Sequence, residues 1–162
     1  MSTTPTRFST EQGFERLASR LRALNDPPPT IRVLIVDDHV LFAEATAIAL
    51  GLDDRLEVVG SAGDGSEAID LARALCPDVI LMDLHMPFMD GLSATRVIRD
   101  TCPASRVVIV TASTSPFDVE RAREAGAIGF VTKNASANEL LNAVYEAAAP
   151  VVPLRAYEAA VG

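Results

Sequence analysis

The chain has 162 residues, 49% hydrophobic and 22% charged, which is enough for one domain with a substantial core and sets aside disorder over most of its length. A formal net charge of −8 argues against nonspecific binding to a phosphate backbone, which runs on clustered Lys and Arg. With no apolar run near the roughly eighteen residues of a spanning helix, and no hydrophobic region in the start MSTTPTRFST, the expectation is a cytoplasmic protein that touches neither membrane nor nucleic acid.

Residues 1–30 read as an appendage. In STEQGFERLASRLRAL, Phe14, Leu17, Leu21 and Leu24 recur at spacings of three and four. That is the stripe of an amphipathic helix, with Ser9 or Thr10 as its cap. Pro27, Pro28 and Pro29 then end the helix and hold the chain extended. The four apolar residues form a candidate association surface, and a homodimer is a candidate assembly.

From Ile31 the pattern changes to short β-branched runs. IRVLIV, RLEVVG, DVILMD, RVVIVT and AIGFVTK are strand candidates separated by helix-length segments. Continuous apolar strands alternating with helices imply a parallel sheet covered on both faces. Helix starts support this: Ser136 with Glu139 three residues on fits a capping box, Asp64 with Glu67 has the same spacing, and Ser115-Pro116 puts proline at a first helical position. Residues 31–148 thus form five βα units, and 149–162 a short tail after the last helix, which Pro150 ends. Cys76 and Cys102, each just before a proline, have no metal-type spacing and read as reduced bystanders. Gly65, Gly91, Gly126 and Gly129 fit turns and helix ends rather than a phosphate-cradling loop.

The chemistry sits at strand ends. The first strand runs into Asp37 and Asp38, the third into Asp83, the fourth into Thr111 and the fifth into Lys133. In an open parallel sheet all of these lie at the carboxyl edge, where ligands bind. Three close carboxylates repel unless a divalent cation gathers them, and hard oxygen donors with room for water suit Mg2+. With two carboxylates on the metal, the third can attack an incoming phosphorus. An ammonium can neutralise the developing charge, and a hydroxyl can donate to a phosphoryl oxygen. Lys133 is the only lysine in the sequence, so a point charge rather than a planar guanidinium stands at this place.

VLIVDDHVLF, DVILMDLHMPFMDGLSATRVIR, VVIVTAST and EAGAIGFVTKNAS resemble the receiver domain of bacterial response regulators, and the DDH opening and KNAS ending are most similar to the NarL/FixJ subfamily. The resemblance covers Ile31 to about Ala148. It implies an α/β, flavodoxin-like (βα)5 fold with strand order 2-1-3-4-5, here with an extra N-terminal helix. It also implies a non-enzymatic signalling switch that promotes its own aspartyl phosphorylation and dephosphorylation. Asp83 would accept a phosphoryl group from a sensor histidine kinase or phosphotransfer protein. Asp38, Asp37 and the backbone carbonyl of His85 would join Asp83 around Mg2+. Thr111 and Lys133 would contact the phosphoryl group, with Phe130 as the switch aromatic and His39 and Ala112 beside the site.

Three positions depart from the family pattern. Phe130 lacks the hydroxyl of a tyrosine, and His85 is unusual two residues past the acceptor. Asn134 replaces the proline after the lysine, so a cis bond kept there would be a non-proline one costing roughly 3 kcal/mol. Two other functions on related architectures fit less well. A phosphatase with an Asp nucleophile pairs it with an acid two residues on, where His85 stands. A flavin module needs hydroxyls and amides after the first strand, where two negative charges stand. For output, the expectation is a stand-alone receiver acting through protein contacts; the alternative is the receiver part of a NarL-type DNA-binding transcription regulator.

Overall fold

A computed structural model describes residues 10–26 and 29–150. The elements run α1 (Thr10–Asn25), β1 (Ile31–Val36), α2 (Val40–Gly51), β2 (Leu56–Ala62), α3 (Gly65–Leu75), β3 (Val79–Met82), α4 (Gly91–Thr101), β4 (Arg106–Thr111), α5 (Pro116–Ala125), β5 (Gly129–Thr132) and α6 (Ala137–Ala148). The alternate cap Ser9, the prolines 27–28 and the tail 151–162 lie outside the described residues. Thr10 opens the first helix.

The five strands form one sheet in the order β2-β1-β3-β4-β5, parallel throughout. This is the flavodoxin-like arrangement expected. Alternation along the strands supplies a core on each face. Leu34, Val36, Ile80, Met82 and Ile109 pack with Ala68, Ile69 and Ala72 of α3, Leu92, Ala94 and Ile98 of α4, and Ala122 of α5. Their neighbours Val33, Ile35, Val79, Leu81, Val108 and Val110 pack with Ala43 and Leu50 of α2 and Val144 and Ala147 of α6. A sheet buried on both sides needs strands apolar on both sides, which explains the unbroken runs in the sequence.

Local chemistry sets the helix starts. The Asp64 side chain accepts from the Ser66 and Glu67 amides, while the Glu67 carboxylate reaches back to the amide of Gly63 rather than of the cap. The capping box at Ser136 is complete, with Glu139 returning the bond. Asp90, which the sequence reading did not single out, caps α4 through the Ser93 amide. Pro116 does open α5, but Ser115 makes no side-chain cap bond; the Ser113 hydroxyl bonds the Asp118 carboxylate there instead. At the other end of α5, Gly126 has φ 106°, and a Cβ there would lie 2.6 Å from the Arg99 side chain. Both cysteines are free and stand at helix C-caps.

One strand boundary needs correction, and one open point is decided. β2 starts at Leu56 and continues past Gly60 to Ala62, because its register against β1 shifts between Val33 and Leu34, so that Val58 and Gly60 pair with consecutive residues. No cis peptide bond occurs among the described residues, so the bond between Lys133 and Asn134 is trans.

Candidate functional site

Backbone pairing gathers the strand ends. Val36 of β1 lies beside Met82 of β3, and the next amide, that of Asp83, donates to the Val36 carbonyl at 2.9 Å, while the Asp37 amide donates to Ala62 at 3.0 Å. Asp37 and Asp83 are therefore neighbours on adjacent central strands. On the other side, Thr111 pairs with Thr132, and the Lys133 amide donates to the Thr111 carbonyl at 2.8 Å. The lysine side chain then extends over the central strands.

Side-chain geometry follows. The Lys133 Nζ lies 2.7 Å from Asp37 Oδ2 and 3.0 Å from Asp83 Oδ2, with the Phe42 ring 4.7 Å away. Asp37 and Asp83 are buried at 6% and 4% exposure, so the ammonium is their nearest compensation. The Leu84 amide donates to Asp83 Oδ1 at 2.8 Å, which fixes one carboxylate oxygen and turns Oδ2 toward the cluster. Burial pushes the Asp83 carboxyl above its ordinary range, although Lys133 pulls the other way. Burial also opposes the charge on Lys133, but the hydrogen bonds to Asp37 and Asp83 outweigh it and hold the ammonium above its ordinary pKa.

His39 completes the cluster. Its amide donates to Asp37 Oδ1 at 2.8 Å. Its Nδ1 lies 3.1 Å from Asp37, 3.4 Å from Asp38 and 4.0 Å from Asp83, and 3.4 Å from the Lys133 Nζ. Asp37, Asp38, His39 and Asp83 each present one donor atom within 4.8 Å of the others. Three of those donors are carboxylate oxygens, and Asp38 faces solvent, so a hard cation can enter and keep part of its water shell. The donor set fits Mg2+. The His85 carbonyl accepts no hydrogen bond among the described residues, which leaves it available as a further oxygen ligand.

A five-stranded parallel sheet with order 2-1-3-4-5, carrying this acidic cluster and lysine at its carboxyl edge, narrows the candidates. The family model for the response regulator receiver domain matches residues 33–145. The chain belongs to the response regulator receiver family. "Probable transcriptional regulatory protein NarL" of Mycobacterium tuberculosis is 39% identical over 76% of this chain and 57% of its own length. "Response regulator GacA" of Pseudomonas aeruginosa is 43% identical over 70% and 53%. The solved receiver domain of the putative response regulator NarL from M. tuberculosis superposes with a TM-score of 0.72 at 39% identity, covering 75% of this chain and 98% of that one. The NarL-type likeness expected from DDH and KNAS is thus found. The chain spans about half the length of the curated relatives it matches.

Within this receiver the structure brings together Asp37, Asp38, His39, Asp83 and Lys133. Thr111 is fully buried at the right strand end, but its hydroxyl accepts from the Ser113 amide at 3.2 Å. Ala112 and His85 are exposed. Phe130 is half-buried against the core on the α3–α5 face. Phe14, Leu17, Leu21 and Leu24 are exposed on α1 and belong to no part of the site.

Three residues escaped the sequence reading. Phe42 backs the Lys133 ammonium; an aromatic one turn into the helix after the acidic pair was its only sequence signal. Gly91 reads as an ordinary helix start, yet a Cβ there would lie 1.9 Å from the Asp83 carbonyl oxygen, so only glycine lets α4 approach the Asp83 backbone this closely. Phe88 stands in the loop after β3 with φ 66° and 97% exposure, a strained conformation for a bulky side chain.

Proposed function

We propose that this receiver is a phosphorylation-activated switch of a two-component system in which Asp83 takes the phosphoryl group from a histidine kinase or phosphotransfer protein. One observation carries the reading: a buried Asp83 has one oxygen fixed by the Leu84 amide and the other hydrogen-bonded to the one lysine in the chain, beside two further carboxylates. In this reading Asp83 Oδ2 attacks phosphorus, a P–O bond forms, and the P–N bond to the donor imidazole breaks as the imidazole regains a proton. Asp38, Asp37, Asp83 and the His85 carbonyl would hold Mg2+, which when bound neutralises charge on the phosphoryl oxygens.

Lys133 then exchanges its bond to Asp83 for one to a phosphoryl oxygen. Thr111 gives up the Ser113 amide and donates its hydroxyl to another. Phe130, on β5 three residues before Lys133, follows inward as the switch aromatic. Asp83 also governs loss of the phosphoryl group to water, with exposed His85 and Ala112 at the mouth setting water access. The receiver is not an enzyme acting on other substrates. The switch occupies residues 31–148, with 1–30 and 149–162 as flanking segments and a cytoplasmic location.

The favoured output is through protein contacts, in keeping with the net charge of −8. A second reading, the receiver part of a DNA-binding transcription regulator, is favoured by relatives described as transcriptional regulatory proteins and about twice as long as the matched region. The reading frame beyond Gly162 decides between them. The switch itself is tested by incubation with acetyl phosphate and Mg2+. The expected result is labelling of the wild-type chain and none of Asp83→Asn; undiminished labelling of the variant would remove Asp83 as acceptor.

A further inference from the structure

Two helices of this chain carry uncovered apolar seams of matching length. On α1, Phe14, Leu17, Leu21 and Leu24 are exposed at 76%, 54%, 53% and 80%, and their 3-4-3 spacing is that of a strict two-position heptad stripe. On α2, Leu41 and Ile48, with Leu52 at the C-cap, are exposed at 81%, 69% and 84%. With exposed Ala45 they follow the complementary 4-3-4 spacing. Each seam extends for about 15 Å at a rise of 1.5 Å per residue.

α2 shows the anomaly most clearly. Its inner face, with Ala43, Thr46 and Leu50, is buried in the core, and its outer face is apolar too. A helix apolar all round is normally buried all round. α1 presents the reciprocal problem, because a helix of its length owes most of its stability to packing of its apolar face.

We infer that α1 of one copy packs on α2 of a second copy, and reciprocally, forming a symmetric dimer by exchange of the N-terminal helix. The two seams do not cover each other within one chain, where both stay exposed. Reciprocal exchange covers both seams at once, whereas pairing α1 with α1 would leave α2 bare. Charge fits as well. Arg20 flanks the α1 seam and Glu44 flanks the α2 seam, both exposed, and flanking charges of opposite sign set partner and orientation in such pairs. Gly13 and Gly51 lie seven residues from Arg20 and Glu44 on the same flanks, where neither has an atom within 4 Å of a built Cβ. Two such helix pairs double the buried area, toward the roughly 1,200 Å2 at which stable interfaces begin. The inference does not depend on the phosphoryl chemistry of Asp83.

Sedimentation equilibrium of the whole 162-residue chain is expected to show a dimer. Leu21→Glu and Ile48→Glu should each weaken association at least about tenfold with unchanged circular dichroism. An equimolar mixture of the two variants should associate better than either alone, because one intact α1 then meets one intact α2. Arg20→Glu should weaken the dimer, and Arg20→Glu combined with Glu44→Arg should restore it to within about twofold. A monomeric wild-type chain would overturn the inference and leave the seams to a different protein. A dimer indifferent to Ile48→Glu would mean α1 pairs with α1, and one indifferent to Leu21→Glu would mean α2 pairs with α2. Absence of rescue in the mixture, or of charge-swap restoration, would also overturn it.

Discussion

Lys133 was marked in the sequence by being the sole lysine and by closing the fifth strand. The structure adds why its position matters: it is the ammonium that two buried carboxylates share. Lys133→Ala should leave the receiver folded and still labelled by acetyl phosphate, but without the change in amide hydrogen exchange on β5 and α5 that labelling produces in the wild type. An unaltered exchange response would remove Lys133 from the switch. Gly91 is the opposite case, a residue whose importance no pattern displayed. Gly91→Ala pushes a methyl group into the Asp83 carbonyl, so it should cost about 1–3 kcal/mol in urea denaturation and slow labelling. Wild-type stability in that variant would contradict the close approach of α4. Sequence reading failed here because the constraint is a contact between residues on different elements, and glycine at a helix start has several commoner explanations.

Among the elements, strands and helix starts were the more legible features. β1 and β4 match their apolar runs, and Ser136 caps α6 as its spacing with Glu139 implied. The end of β2 was not legible, since the register shift that carries it to Ala62 depends on pairing with β1. Pro116 opens α5 as its place after Ser115 implies, but the bond from the Ser113 hydroxyl to the Asp118 carboxylate depends on the path of the preceding loop. The loop after α2 offers a further test. Asp53 is held well below the usual carboxylate range, first by the Arg55 side chain and then by the Tyr145 hydroxyl of α6, and the Arg55 guanidinium lies 4.5 Å over the Tyr145 ring. A depressed carboxylate pKa stabilises the fold above its unfolded value, near pH 4, and that contribution is lost as pH falls through the lower folded value. The stability difference between wild type and Asp53→Asn should therefore be constant from neutral pH to about 4 and shrink below it. A difference independent of pH throughout acid would show that the ionised carboxylate does not tie this loop to α6.

At the scale of the whole molecule, alternation of strands and helices was enough for a doubly wound sheet, but the order 2-1-3-4-5 was not in the spacing and came with the family resemblance. That order puts β1 and β3 side by side at the centre, which is what turns Asp37, Asp38 and Asp83 into one cluster with Lys133 and His39 above it. Thr111 is legible only in part: its strand end is, whereas the rotamer of its hydroxyl and its bond to the Ser113 amide depend on a loop whose path no periodicity encodes. The central claim is that these strand ends form a single site that delivers a phosphoryl group to Asp83. It is tested most directly by treating the chain with acetyl phosphate and Mg2+, reducing the acyl phosphate with borohydride, and locating the reduced residue by peptide mass spectrometry. The account predicts modification at Asp83 and none when Mg2+ is chelated; modification at Asp37, Asp38 or any other residue, or equal modification without the cation, would contradict it.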